Sequence, residues 1–405
     1  MHIRFESLKP QSNLSRRAFA AGLLAVPTAL AQNGPLGTLY PTIQGLADTS
    51  PLELSFLKPE FRNLAAYQQR ARKQLIELLH YHPPSVPLDA KTISRTERGG
   101  YTEENISFQS SAQTHVPATV LIPANRTKPA PAVIALHDHG GMYIWGREKV
   151  MDTGADHPVL AKFKSDYYGG RSFATELVRQ GYVVISIDMF YWGERRFQQE
   201  NDPSAMRERS SDMTAQQVNE SNRRAGQNEP VVARGMLTAG VTWPGVVFWD
   251  DMRTIDYLAS RPEVDAKRIG CIGLSVGGYR SFVLAALDPR IKAAVDVCWM
   301  ASFRTQLDEH LMHSVGFTFA IPGMYRFFDL PDLAALIAPR AVSVIAGSQD
   351  KLFPLAGMQA AFSTIERCYA KAKSPANQKC TMYDSPHEFN LKMQADTWEW
   401  LRQRL

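Results

Sequence analysis

The chain has 405 residues, 44% of them hydrophobic and 21% charged, the balance of an ordinary globular protein with ample length for a large core. Its net charge of +5 is mild. The basic residues are scattered, without a basic stripe or aromatic-basic alternation, which argues against nucleic acid as a partner, and no apolar run reaches the length of a membrane span.

The first residues are expected to lie outside the fold. Arg4 and Lys9 give a positive start, and Ser15-Arg16-Arg17-Ala18-Phe19 is a twin-arginine pattern. A moderately apolar stretch over 20–30 follows and ends in Ala29-Leu30-Ala31, an A-x-A cleavage signal. Pro27 and the arginine pair ahead of an uncharged run argue against a core helix. Residues 1–31 therefore read as a twin-arginine signal peptide, and the folded protein is expected in the periplasm or outside the cell.

Residues 32–90 read as an N-terminal arm: 32–60 is rich in Pro, Gly and Leu, and 60–79 carries apolar residues at helical spacing. Segments 92–97, 102–108 and 118–122 are β-rich and separated by turn residues, which predicts an antiparallel opening meander. From residue 132 short apolar runs alternate with helical stretches. The runs are 132–136, 182–187, 268–272, 293–297 and 341–346; the helices are 171–179, 248–260, 279–287 and 359–370. Strands buried on both faces read this way because helices cover a parallel sheet from each side. A doubly wound α/β domain over 91–405 follows, with its active site beyond the carboxyl ends of the strands. Stretches 140–170, 194–244 and 299–332 are too long for plain connections and should overhang that site. The middle one carries Glu194-Arg195-Arg196, Arg207-Glu208-Arg209 and Arg223-Arg224. It reads either as a solvated surface loop or as a lid or specificity wall.

The most informative stretch is Gly273-Leu274-Ser275-Val276-Gly277, between the strand-like 268–272 and the helical 279–287. A serine on a sharp strand-to-helix turn projects its hydroxyl from the sheet edge, and the flanking glycines keep side chains away from the neighbouring strand and helix. A serine needs a base, most often a histidine oriented by a carboxylate. Asp350 closes Ala346-Gly347-Ser348-Gln349-Asp350 just after a strand, with Asp329 and Asp332 as weaker rivals ahead of it. His387, in Asp384-Ser385-Pro386-His387-Glu388-Phe389, is the only histidine after Asp350. Ser275 is thus the expected nucleophile, His387 the base and Asp350 its orienter. For the oxyanion hole, the backbone N–H of Val276 is one candidate. The loop His137-Asp138-His139-Gly140-Gly141 offers the other, His139 first and Gly140 second. His137 reads as structural. A metal at His137 and His139 is disfavoured, because no further ligand cluster completes it. Cys271 and Cys298 read as buried small hydrophobes, and Cys368 and Cys380 as a candidate disulfide pair in an oxidising compartment.

With these motifs the chain resembles the α/β-hydrolase superfamily, and within it the bacterial acetylxylan-esterase and dienelactone-hydrolase-like serine esterases. The resemblance covers roughly residues 100–400. It rests on 137–141, on Asp188-Met189-Phe190-Tyr191-Trp192-Gly193-Glu194-Arg195, on Asp250-Asp251-Met252-Arg253, on 273–278, on Ala338-Pro339-Arg340, and on Asp350 and His387. It implies an α/β-hydrolase fold, a mostly parallel sheet flanked by helices with an N-terminal helical arm and insertions over the site. It also implies a serine esterase without metal or organic cofactor. The chain departs from the family pattern in having His137-Asp138 where His-Gly is typical. Dienelactone hydrolases proper use a cysteine where Ser275 stands, and glucuronoyl esterases carry Arg where Val276 stands. Prolyl oligopeptidases share the look of the serine turn but need a propeller domain for which this chain has no room.

Tyr191, Trp192 and Glu194 follow a strand end, Trp299 another, and Trp145 lies in the first insertion; all five are expected at the substrate walls. Aromatic faces suit sugar rings and aryl acyl groups equally. The expected function is an exported carboxylic-ester hydrolase, acting through an acyl-Ser275 intermediate on a small-molecule or polysaccharide ester. A serine peptidase or acyltransferase and a non-catalytic binding protein on the same fold are the alternatives.

Overall fold

The computed structural model describes residues 34–307 and 310–405, so the twin-arginine segment lies outside the described residues. Nine strands form one sheet: β1 (Lys91–Arg98), β2 (Tyr101–Ser111), β3 (Thr114–Pro123), β4 (Ala130–Leu136), β5 (Val183–Ile187), β6 (Val264–Leu274), β7 (Ile291–Val297), β8 (Ala341–Gly347) and β9 (Gln378–Tyr383). Their order is β1-β2-β3-β5-β4-β6-β7-β8-β9. The first three pair antiparallel, β3 joins β5 antiparallel, and every later pairing is parallel. The expected meander and parallel sheet are both present.

Alternation along β4 explains the near-continuous apolar runs. Ala132, Ile134 and Leu136 enter one core, with the helices Leu64–Leu78, Trp243–Ser260, Val276–Leu287 and Leu355–Lys371. Val133 and Ala135 enter a second core on the opposite face, with Phe173–Arg179 and Leu391–Arg402. The edge strand β1 is exposed along its whole length, and its Lys91, Arg95, Glu97 and Arg98 discourage further pairing. Among the described residues no single helix is long and apolar enough to cross a membrane.

Three of the longer helices depart from the sequence expectation. Pro158–Tyr168 and Leu391–Arg402 lie where no helix is predicted. The polar insertion 194–244 is built on a 24-residue helix, Ala215–Thr238, rather than a solvated loop. Its start is fixed by a capping box between Thr214 and Gln217. Its buried positions are Val218, Asn222, Ala225 and Ala233, a stripe at helical spacing made of small and polar residues. The N-terminal arm carries a short helix, Tyr40–Asp48, and is tied to the third insertion by Glu53 N–H to Arg326 O (3.0 Å) and Leu54 N–H to Phe327 O (2.9 Å). The candidate disulfide is not formed: Cys368 is buried in the core, Cys380 lies on β9, and both are free thiols.

Because β4 to β9 run in one direction, the loops after Leu136, Ile187, Leu274, Val297, Gly347 and Tyr383 leave the sheet at the same edge.

Candidate active site

Ser275 sits between β6 and the helix Val276–Leu287 at φ 59°, ψ −127°, a conformation that costs a non-glycine residue about 1–3 kcal/mol. Two contacts hold it there. Its N–H donates to Val297 O on β7 at 2.7 Å, and the turn packs against β4 through glycine. A Cβ on Gly277 would lie 2.1 Å from Leu136 O, and one on Gly273 would lie 2.4 Å from the Gly277 carbonyl carbon. No other residue type fits at either position. The serine Oγ makes no hydrogen bond among the described residues and faces a cavity of about 340 Å³ that His387 also lines.

Asp350 and His387 are brought together by the ends of β8 and β9. Ser348 N–H donates to Tyr383 O (2.8 Å) and Gln349 N–H to Ser385 O (3.0 Å), stitching the two loops. Gly347 permits this approach, since a Cβ there would meet Ser385 O at 2.3 Å. The result is a 2.6 Å bond between His387 Nδ1 and Asp350 Oδ2. Asp350 Oδ1 accepts from Leu352 N–H at 2.8 Å, which fixes the carboxylate plane. Nδ1 therefore carries the proton, and Nε2 stays available as a base. Cys298 Sγ lies within 4.8 Å of the ligand atoms of both residues; burial pushes its thiol pKa up, so it stays protonated at neutral pH.

The loop after β4 forms the opposite wall. Gly140 stands at φ +54°, and a Cβ there would clash with Asp138 and Phe163. His137 is fully buried: Nε2 accepts from Met189 N–H (3.1 Å), so Nδ1 is the protonated nitrogen and donates to Asp138 O (2.8 Å). Burial, with Lys149 and Arg280 nearby, lowers its pKa well below the usual histidine value, and the ring stays neutral. Both ring nitrogens of His139 are also engaged, Nδ1 by Gly141 N–H and Nε2 by Glu229. Lys149, wholly buried, donates to Asp138 O (2.8 Å) and His139 O (2.9 Å), and Tyr168 OH bonds Asp138 Oδ1. These bonds draw the loop carbonyls away from the cavity. The amides of Val276, His139 and Gly140 take no hydrogen-bond acceptor among the described residues.

Of the five expected wall residues, Trp299 lines the serine cavity and four do not. Trp192 is buried behind the β4 loop, stacked on Tyr143, with Nε1 donating to His139 O (3.2 Å). Tyr191 is buried and donates its OH to Ala225 O (3.0 Å). Glu194 pairs with Arg147, and Trp145 packs on His157 in a separate cluster. Each follows a strand end or opens an insertion; the 215–238 helix covers Tyr191 through Ala225 and shares a cluster with Trp145 through Val218, while Glu194 stays exposed. The same helix supplies a residue that sequence reasoning missed. Glu229 lines the serine cavity and accepts from His139 Nε2 (3.0 Å) and Tyr143 OH (2.9 Å). Phe319, from the third insertion, lines it as well.

A model of the Abhydrolase family matches residues 43–396. The chain belongs to this α/β-hydrolase family. It is 29% identical over 299 residues to YtaP of Bacillus subtilis (strain 168), which is named as a hydrolase; the match covers 74% of this chain and 87% of that protein. Among solved structures it is similar to a Bacteroides fragilis protein named as an acetyl xylan esterase, with TM-score 0.63 and 20% identity, over 88% of this chain and 84% of that one. It is also similar to the glucuronoyl esterase of Solibacter usitatus, with TM-score 0.57 and 14% identity, over 86% and 96% of the two chains. At these identities the structural likeness is one of fold.

Proposed function

We propose that this abhydrolase is a serine carboxylic-ester hydrolase that works through an acyl-enzyme on Ser275. The observation that carries the reading is the 2.6 Å His387–Asp350 bond, made in the cavity where Ser275 stands on its strained turn. His387 Nε2 takes the Oγ proton as Oγ attacks the ester carbonyl. The tetrahedral oxyanion is held by the Val276 N–H with His139 or Gly140 N–H, and His387 returns the proton to the leaving alcohol. A water then gives its proton to His387 and attacks the acyl carbon, releasing the acid and restoring Ser275. Asp350 holds the tautomer and stabilises the imidazolium.

Carbohydrate esters are the substrate class best supported, through the esterases of like fold and the polar edge that Glu229 and His139 give the cleft. The twin-arginine pattern supports export to the periplasm or beyond. Ser275→Ala should abolish hydrolysis of p-nitrophenyl acetate and covalent labelling by a fluorophosphonate while the fold persists by circular dichroism. Full activity in that protein would end the proposal. Peptide anilides assayed beside the ester separate a peptidase, and added alcohols reveal acyl transfer. Chelators should leave turnover unchanged. Loss with a chelator would instead favour metal chemistry at Cys298, Asp350 and His387, whose ligand atoms are close enough to share an ion.

A further inference from the structure

A second cavity, of about 310 Å³, lies beside the serine cavity, and the two share Trp299 and Phe319 as their common wall. These rings meet edge to face with centroids 4.6 Å apart. Its lining is apolar, with Phe303, Val315, Ile321, Met324, Phe328 and Leu330. Tyr325 and Arg326 also line it, with Arg326 pairing outward with Glu53 (2.9 Å), and three other polar side chains at its wall turn their donors into the protein. Tyr279 OH bonds Phe319 O (2.7 Å), Ser314 Oγ bonds His310 O (2.7 Å), and Gln306 Nε2 reaches Ala301 O (3.4 Å). A guest therefore finds few unpaired hydrogen-bonding groups there, and its gain on entry is the removal of apolar surface from water. Tyr279 lies one helical turn after Ser275 and its ring is 5.9 Å from that of Trp299, which places the chamber at the flank of the nucleophile.

We infer that this chamber receives an apolar arm of the ester, with Trp299 and Phe319 as its threshold. The inference rests on the serine-esterase reading and adds a substrate class to it: esters with a medium-chain or aryl substituent, in preference to esters small on both sides. A cavity of about 310 Å³ is far larger than an acetyl methyl needs. Each further methylene buried from water strengthens transition-state binding, so a six-carbon chain should outperform a two-carbon one by at least tenfold in kcat/KM.

The test compares methyl acetate, methyl hexanoate and hexyl acetate, which place the chain on neither side, the acyl side or the alcohol side. At least a tenfold preference for one of the long esters is expected, and the preferred one tells which half of the ester enters. Ala320→Phe and, independently, Met324→Trp fill the chamber and should erase that preference. A turnover-free arm uses the Ser275→Ala protein, in which the preferred long ester should quench tryptophan fluorescence saturably and bind at least tenfold more weakly once either filling change is added. No preference for either long ester, or a preference that survives both filling variants, overturns the chamber assignment. Turnover that persists in Ser275→Ala overturns the esterase reading, while the fluorescence arm still decides the chamber.

Discussion

Two regions meet at the cavity, and they are built differently. The floor consists of the ends of β6, β8 and β9, where Ser275, Asp350 and His387 are set by backbone bonds between adjacent strands and by glycines with no room for a side chain. The walls come from the three insertions, and their geometry rests on side chains, some reaching across long sequence distances, such as Glu229 to His139 and Asn222 to the Tyr143 N–H, and some local, such as Lys149 to the 138–139 carbonyls. The floor is therefore rigid because of topology, and the wall is rigid only as long as its polar network is complete. On the proposed mechanism the floor holds the nucleophile, base and orienter, and the wall sets selectivity and offers the second oxyanion donor.

The floor should fail most severely. Asp350→Asn keeps the shape of the site but lets the amide favour the wrong His387 tautomer. Steady-state kinetics should show kcat reduced about 10⁴-fold with the melting temperature little changed. A loss below tenfold would mean that the 2.6 Å bond does not orient the base.

Beneath the floor lies Asp296 on β7, a fully buried carboxyl with neither oxygen hydrogen-bonded by a side chain among the described residues; a Cβ on Gly278 would lie 2.4 Å from its Oδ1. Burial pushes its pKa up to about 8 from 3.8. The folded state thus holds the proton more tightly than the unfolded chain. The stability this gives is complete below the unfolded value and is lost as pH rises through about 8, by up to about 1.4 kcal/mol per pH unit within that window. Thermal melts of Asp296→Asn should therefore converge with the native protein at low pH and exceed it by a growing margin toward pH 8. Parallel curves would mean that the carboxyl does not titrate there.

The same contrast explains what could be read in the sequence. Floor residues announce themselves locally: an apolar run, a Gly-Leu-Ser-Val-Gly turn and a helix lie side by side, and Asp350 and His387 each follow a strand-like run. The wall has no such grammar. Tyr191 and Trp192 follow β5, as a cleft residue should, yet both are buried, Tyr191 against Ala225 of the helix Ala215–Thr238 and Trp192 against Tyr143. That helix was illegible as a helix because its buried stripe, Val218, Asn222, Ala225 and Ala233, is mostly small or polar, so hydropathy gives no periodic signal. Spacing held the clue: Glu229 falls four residues before Ala233 and seven after Asn222, on the same stripe. Cys368 and Cys380 failed as a pair because a helix and a strand, not a hairpin, place them.

Lys149 tests the wall with a smaller effect than the floor. Its ammonium is buried, and burial pulls its pKa down while Asp138 opposes the shift. It touches no substrate position; it holds two carbonyls so that the neighbouring amides point the other way, which makes it a positioning residue. Lys149→Met removes both bonds and leaves Asp138 with Tyr168 as its remaining side-chain donor. If the 138–140 loop supplies the second oxyanion donor, kcat should fall about 10- to 100-fold, somewhat less than for outright deletion of such a donor, while KM stays near its native value. Fluorophosphonate labelling of Ser275 should slow in parallel, because the phosphoryl oxygen uses the same amides. A matched rise in KM with kcat unchanged would show that the loop binds substrate without stabilising the oxyanion. The second donor would then have to be sought elsewhere on the wall.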